Sequence, residues 1–299
     1  MRDVIEENAL SQPTGNETGI FLFMTLTKHS VRHHISEEMW VNKLFVKHPQ
    51  LYLPVLQSRE ESFAECEGLC SIFLDFKFPA SLRILDLCCG IGRHSIQLAK
   101  KGHQVTGIHI SDFYLDYARR WANREHISDM VKFYRGDSRK IIDILNKHHE
   151  GNFDVVLSLF QSIGYYGSAS DSNLLRTLSQ ICSPCGLLIV ELENRDWWVS
   201  NYVRYSNYDF NHLKICEQWS LDKANSTAIA KTKFYNRVSK KKLQLKLDVE
   251  CSMKLYSLPE FILKASKCGW TYRKVFETLK DTKPFNITSK QFVVVFQHE

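Results

Sequence analysis

The run Ile84-Leu-Asp-Leu-Cys-Cys-Gly-Ile-Gly-Arg-His94 holds the residues best suited to ligand chemistry. An apolar strand delivers a carboxylate, Asp86, near its end. Gly90 and Gly92 follow in D-x-x-x-G-x-G spacing, and a helix begins at once. Glycines let backbone approach a ligand with no Cβ in between. The first turn of a helix adds unpaired N–H groups. A dinucleotide loop of the G-x-G-x-x-G kind needs a third glycine, where this chain has Ser95. Asp86 would also repel a pyrophosphate. It suits a ligand that carries an ammonium and a sulfonium.

The elements around this run alternate regularly. Short apolar strands are predicted at 83–87, 104–110, 131–135, 153–159 and 187–192. Helices separate them at 92–101, from the Ser111 cap to about Glu125, after the Ser138 cap, and at 171–181. Buried strands alternating with helices of 10–15 residues make βαβ units and a parallel sheet covered on both faces. Ligands bind such sheets at the carboxyl ends of the strands, which is where Asp86 and Asp137 fall. After Asn194 the pattern changes. Leu243, Leu245, Leu247 and Val249 alternate with polar residues, a period of two that predicts an antiparallel strand, and 226–235 is a weaker candidate. The Lys240–Lys242 run is expected at an edge or turn, where lysine discourages pairing. A helix at 257–268 and strands at 270–277 and 290–297 return to the α/β pattern. Upstream, residues 1–35 read as an arm with little order. Residues 37–56 read as one or two short helices laid over something else. Ser58, Glu60 and Glu61 predict a helix start whose apolar face runs to about Phe76. The domain division expected is 1–57 as arm and lid helices, 58–194 with 257–299 as the core, and 195–256 as an antiparallel insert.

The stretch 84–94 resembles motif I of class I S-adenosylmethionine-dependent methyltransferases, and the resemblance continues in order. Val105-Thr-Gly-Ile-His-Ile-Ser111, Arg135-Gly-Asp-Ser138, Phe153-Asp-Val-Val-Leu-Ser-Leu-Phe160 and Ser183-Pro-Cys-Gly-Leu-Leu-Ile-Val190 look like the second to fifth strand ends. Gly92-Arg-His94, Leu159-Phe-Gln-Ser-Ile-Gly-Tyr-Tyr166 and Glu193-Asn-Arg-Asp196 are similar to a small-molecule subgroup with an antiparallel insert after the fifth strand. Sugar and glycine N-methyltransferases are relatives within that subgroup. The resemblance implies a doubly wound, mostly parallel, seven-stranded Rossmann-like sheet under a β-sheet lid. It implies S-adenosylmethionine as cofactor and in-line methyl transfer to N or O of a small molecule.

Roles carry over by position. Asp86 would face the methionine ammonium. Cys88, Gly90 and Gly92 would line the methionine moiety, and Arg93 would approach its carboxylate. Asp137, with the Ser138 backbone, would take the adenine amino group, flanked by Ile110 and Phe160. The family usually places Asp or Glu about 20 residues past motif I, on the ribose hydroxyls. This chain has His109 there. A neutral imidazole bonds one hydroxyl but lacks the bidentate geometry. Cofactor binding is then expected to weaken as His109 protonates near its ordinary pKa of about 6.5. Tyr165 is expected to position the acceptor, since a phenol of pKa about 10 is a poor base. Arg195 is expected to clamp a carboxylate or phosphate, and Trp198 to wall the substrate pocket or cover a cationic amine.

Composition narrows the alternatives. The chain has 299 residues, 44% of them apolar, and a net charge of +6, too mild a surplus to argue for nucleic acid. Nine cysteines, an odd number, fit a reducing compartment better than a disulfide framework. Cys182 and Cys185 form a lone C-x-x-C with no second pair nearby, so no metal is expected. The stretch Ile20–Leu26 is far shorter than the roughly 20 residues of a membrane span. A cytoplasmic protein is expected, with oligomeric state, including a homodimer, left open. The alternatives are an RNA or protein methyltransferase, or a cofactor-binding pseudoenzyme serving as a partner subunit.

Overall fold

The structure is a computed structural model that describes residues 4–6, 40–57, 62–239 and 242–299. Along the chain the strands are β1 (Val4–Glu6), β2 (Arg83–Leu87), β3 (Gln104–His109), β4 (Val131–Arg135), β5 (Phe153–Ser158) and β6 (Cys182–Glu193). They continue with β7 (Tyr205–Phe210), β8 (Leu213–Asp222), β9 (Thr227–Ser239), β10 (Lys242–Lys254), β11 (Trp270–Phe276) and β12 (Gln291–His298).

Seven of these strands form one sheet in the order β11-β12-β6-β5-β2-β3-β4. β6, β5, β2, β3 and β4 pair in parallel. β12 runs against both of its neighbours, so β11 again follows the common direction. This is the α/β, doubly wound, mostly parallel sheet expected. Its strands read as near-continuous apolar runs because both faces are covered. One face buries Leu85, Leu87, Val156, Leu188, Val190 and Phe292 under the helices Ile141–Lys147, Gly167–Ile181 and Leu258–Ser266. The other buries Ile84, Val105, Val155, Leu187 and Ile189 under Ser62–Asp75, Arg93–Lys100 and Asp112–Arg124.

A second, antiparallel sheet has the order β1-β10-β9-β8-β7. β7 and β8 were not foreseen from the sequence. Tyr205–Phe210 is mostly exposed and shows no clean alternation. Leu213–Asp222 mixes charge into its inward face. At the amino terminus Val4–Glu6 departs from the expected arm: it pairs with β10, Ile5 opposite Leu243. The rest of residues 1–35, the Ser58–Glu61 helix start, and Lys240 with Lys241 lie outside the described residues. Lys242 opens β10 opposite Ser239.

Between the two sheets lie a π-helical stretch, Asn42–Lys47, a 3₁₀ turn, Pro49–Leu51, and a short α-helix, Leu53–Gln57. Trp40, Val41, Leu44 and Leu51 pack on Leu213, Ile215, Phe234 and Val249 of the antiparallel sheet. Leu53 and Leu56 pack on Ile91 and Tyr114 of the parallel domain. These short elements bridge the two sheets and roof the space between them. No helix among the described residues is long and apolar enough to cross a membrane.

Candidate active site

Two adjoining cavities open at the carboxyl ends of the parallel strands. The first, about 680 Å³, is lined by Cys88 and Gly90 of the loop after β2, by His109 and Ile110 after β3, by Gly136, Asp137 and Ser138 after β4, and by Phe160, Ser162 and Tyr165 after β5.

The loop after β2 divides its glycines between two tasks. Gly90 has φ +58°, and a Cβ there would meet only Leu56 Cδ1, at 3.9 Å. Its bareness keeps the cavity open. Gly92, at φ +77°, caps the Arg93–Lys100 helix. A Cβ there would lie 2.9 Å from Ala118 Cβ and 3.0 Å from Phe133 Cζ. Gly92 is therefore packed into the protein and does not line the cavity, a correction to its expected role. Cys88 stands at φ +60°, a left-handed conformation that strains a side-chain-bearing residue. Burial pushes its thiol up to about 12, against the pull of the Ser138 hydroxyl, so it is no thiolate at neutral pH.

Asp86 is buried behind this wall. Its Oδ2 accepts a hydrogen bond from Ser95 Oγ at 2.5 Å. Burial raises its pKa, opposed in turn by His94, Ser95 and Arg93. Arg93 also faces inward, with Nη1 at 4.0 Å from Glu65 Oε2, which His94 Nε2 contacts at 2.8 Å. Neither Asp86 nor Arg93 is among the residues lining the first cavity. The expected contact of Arg93 with the methionine carboxylate is thus corrected: Glu65, on the preceding helix, engages it.

His109 faces the cavity and stacks edge-on against Phe45, with Tyr114 close by. The Ser111 backbone N–H donates to its Nδ1 at 3.0 Å, which leaves the proton of the neutral ring on Nε2. Burial lowers its pKa to about 4, only partly offset by the Ser111 bond. This overturns the expected titration near 6.5. With that pKa His109 is neutral from pH 5.5 to 8. The linkage falls on stability instead. The folded pKa lies below the ordinary 6.5, so between those values the unfolded chain binds more protons and folding weakens as pH falls. About 3 kcal/mol is lost from pH 6.5 to pH 4. His109→Asn, whose Oδ1 offers an acceptor in place of Nδ1 to Ser111, should flatten that slope in denaturant unfolding at pH 4.5, 5.5 and 6.5. A slope unchanged by the substitution would assign the acid sensitivity to other groups.

Asp137 lines the cavity as expected, but Arg139 already engages it. Oδ1 accepts from the Arg139 backbone N–H at 2.9 Å and from Nε at 3.0 Å, and Oδ2 accepts from Nη2 at 2.5 Å. Burial pushes the carboxyl up, yet the Arg139 bonds outweigh it and hold the pKa below the ordinary value. The same guanidinium lies 3.9 Å over the Tyr166 ring. An adenine amino group would compete with Arg139 for this carboxylate.

The loop after β5 is strained and strongly tied. Phe160 and Gln161 both have positive φ. The Phe160 N–H donates to Glu191 Oε2 at 2.9 Å, and Gln161 Oε1 accepts from the Glu193 N–H at 2.6 Å. The Gly164 N–H donates to Asp171 Oδ1 at 3.1 Å, and Asp171 Oδ2 accepts from Tyr256 Oη at 2.5 Å. Gln161, Asp171, Glu191 and Tyr256 were not foreseen. They lie far apart in sequence, and no local pattern links them. Their effect is to hold Phe160 and Tyr165 between the cavities.

The second cavity, about 1530 Å³, extends under the antiparallel sheet and shares Phe45, Tyr52, Phe160 and Tyr165 with the first. Tyr165 packs edge-on against Trp40 at 4.9 Å between centroids. Burial raises its hydroxyl well above the usual range, so Tyr165 carries no phenolate at neutral pH. Trp198 lines this cavity, its Nε1 donating to Glu193 Oε2 at 2.8 Å. Arg195 does not reach it. Its guanidinium pairs with Glu260 Oε2 at 2.8 Å and Asp196 Oδ1 at 3.0 Å. The expected substrate clamp is corrected: Arg195 ties the start of the Arg195–Asn201 helix to the Leu258–Ser266 helix. Among the described residues no cluster of metal-ligating side chains occurs.

The sheet order and the glycine loop define a class I, Rossmann-like methyltransferase domain, and comparison with known proteins agrees. Residues 84–186 match the family described as "Methyltransferase domain". Residues 84–186 of the chain therefore carry a methyltransferase domain. It is 30% identical over 123 residues to the putative methyltransferase YqeM of Bacillus subtilis, covering 41% of this chain and 47% of that protein. It is 32% identical over 123 residues to human glycine N-methyltransferase, covering 38% and 41%. The chain thus spans about half or less of the length of these curated relatives. A solved S-adenosylmethionine-dependent methyltransferase from Clostridium acetobutylicum superimposes with a TM-score of 0.68 at 13% identity, covering 84% of this chain and 98% of that one.

The first cavity fits the cofactor. The bare face of Gly90, the Asp137 carboxylate and the single Nε2–H of His109 would take a methionine, an adenine and a ribose in turn.

Proposed function

We propose that the chain transfers a methyl group from S-adenosylmethionine to a nitrogen or oxygen of a small molecule held in the second cavity. One observation carries the reading: the glycine-loop cavity opens into an aromatic chamber, and Tyr165 and Phe160 stand in the wall common to both. When bound, the cofactor supplies an electrophilic methyl on a sulfonium, so the protein's task is to orient the acceptor and exclude water. The aromatic roof of Trp40, Phe45 and Tyr52 excludes water. Phe160 and Tyr165, locked by the Glu191, Glu193 and Asp171 bonds, fix the direction of approach.

The test is a parallel incubation with methyl-labelled S-adenosylmethionine, a small-metabolite extract and total RNA. Label in the small-molecule fraction supports the proposal. Label in RNA, lost steeply as salt rises, would replace it with an RNA acceptor.

A further inference from the structure

The floor of the second cavity is the inner face of the antiparallel sheet. With a period of two, β8 presents Ile215, Glu217 and Trp219 to it. A carboxylate thus sits within an otherwise apolar stripe. Glu217 is flanked in register by Ser206 on β7 and Thr232 on β9, which also line the cavity. Its Oε2 accepts from Ser206 Oγ at 2.9 Å and from Trp219 Nε1 at 3.1 Å.

Among the described residues nothing balances the charge of Glu217. Among the described residues no lysine, arginine or histidine nitrogen lies within 4.0 Å of it. The other carboxylate of this cavity, Glu193, has Lys290 Nζ at 3.9 Å. A buried charge without a counter-ion is unfavourable, and burial raises the Glu217 carboxyl above its ordinary range. Trp198, Tyr202 and Trp219 line the same cavity, with Trp198 and Trp219 packed edge-on at 5.1 Å between centroids. Trp40, in the same cavity and 6% exposed, keeps its indole N–H without a partner. An uncompensated carboxylate within an aromatic box is the environment that favours an organic cation.

We propose that the methyl acceptor carries an ammonium group and that Glu217 binds this group against the Trp198–Trp219 wall. The inference rests on the methyltransferase reading above and adds the substrate class. Glu217 selects the substrate by charge, and an alcohol of the same shape gains nothing from it.

The experiment measures quenching of the cavity tryptophans, with S-adenosylhomocysteine bound, by two matched pairs: phenethylamine against 2-phenylethanol, and choline against 3,3-dimethyl-1-butanol. The cation of each pair should bind at least about tenfold more tightly than its neutral isostere. Glu217→Gln should abolish that preference. Its amide oxygen still accepts from Ser206 and Trp219, so the sheet and the affinity for S-adenosylhomocysteine are retained. Glu217→Asp should keep part of the preference, which a purely structural role would not produce. Equal binding of amine and alcohol in the wild type, or a preference that survives Glu217→Gln, overturns the inference. Failure to bind S-adenosylhomocysteine, with the cation preference intact, overturns the methyltransferase reading and leaves the cation site standing.

Discussion

Gly90→Val should weaken binding of S-adenosylhomocysteine by at least about 100-fold in isothermal titration, a loss near 3 kcal/mol, with only a modest fall in melting temperature. Gly90 has no neighbour closer to its missing Cβ than Leu56 Cδ1, at 3.9 Å. A valine there projects into the first cavity and displaces ligand, not protein. Its positive φ adds a strain of about 1–3 kcal/mol, within the reach of a folded domain. Gly92→Val should do the reverse. Its Cβ meets Ala118 and the Phe133 ring at 3.0 Å or less, so the melting temperature falls sharply while the fraction that stays folded keeps its affinity. Two glycines two residues apart would then separate ligand approach from helix packing. If both variants lose stability and affinity in proportion, the first cavity is not the cofactor site.

That division shows what was and was not legible in the sequence. The parallel strands announced themselves because burial on both faces leaves unbroken apolar runs such as Leu187–Val190. The glycine loop announced itself because strand, carboxylate, glycines and helix lie within a dozen residues. Direction was not legible. Arg93 and Arg195 stand beside the site in sequence, yet each turns to a carboxylate brought from elsewhere: Glu65 in one case, Glu260 in the other. His109 was found by position. Its protonation state follows from Phe45, Tyr114 and the Ser111 amide around it, and no local pattern announces those. Glu217 left a trace, a charge at the centre of an Ile–x–Glu–x–Trp alternation. That trace is read only when the strand is known to face a cavity and Lys290 is known to sit beside Glu193 instead.

Asp86→Asn should leave the melting temperature unchanged or higher above pH 7 and should lower the affinity for S-adenosylmethionine at least about tenfold. The carboxyl's pKa is raised by burial, which His94, Ser95 and Arg93 offset only in part. A raised folded pKa means that the stability contributed by this group is present below the ordinary 3.8 and is lost as pH rises through the folded value. At neutral pH the carboxylate is a cost to the fold. An asparagine still accepts from Ser95 Oγ and carries no charge, so it removes that cost, and its advantage should vanish near pH 3.5. A group kept at such a cost, at the end of the first central strand beside the cofactor cavity, is retained for a charge that arrives with the ligand. Its field reaches the cavity through protein of low dielectric, where attraction between unlike charges is strong. Melting curves from pH 3.5 to 8, paired with titrations against the sulfonium cofactor and its uncharged-sulfur product, separate the two effects. An affinity indifferent to the substitution would reduce Asp86 to an anchor for Ser95.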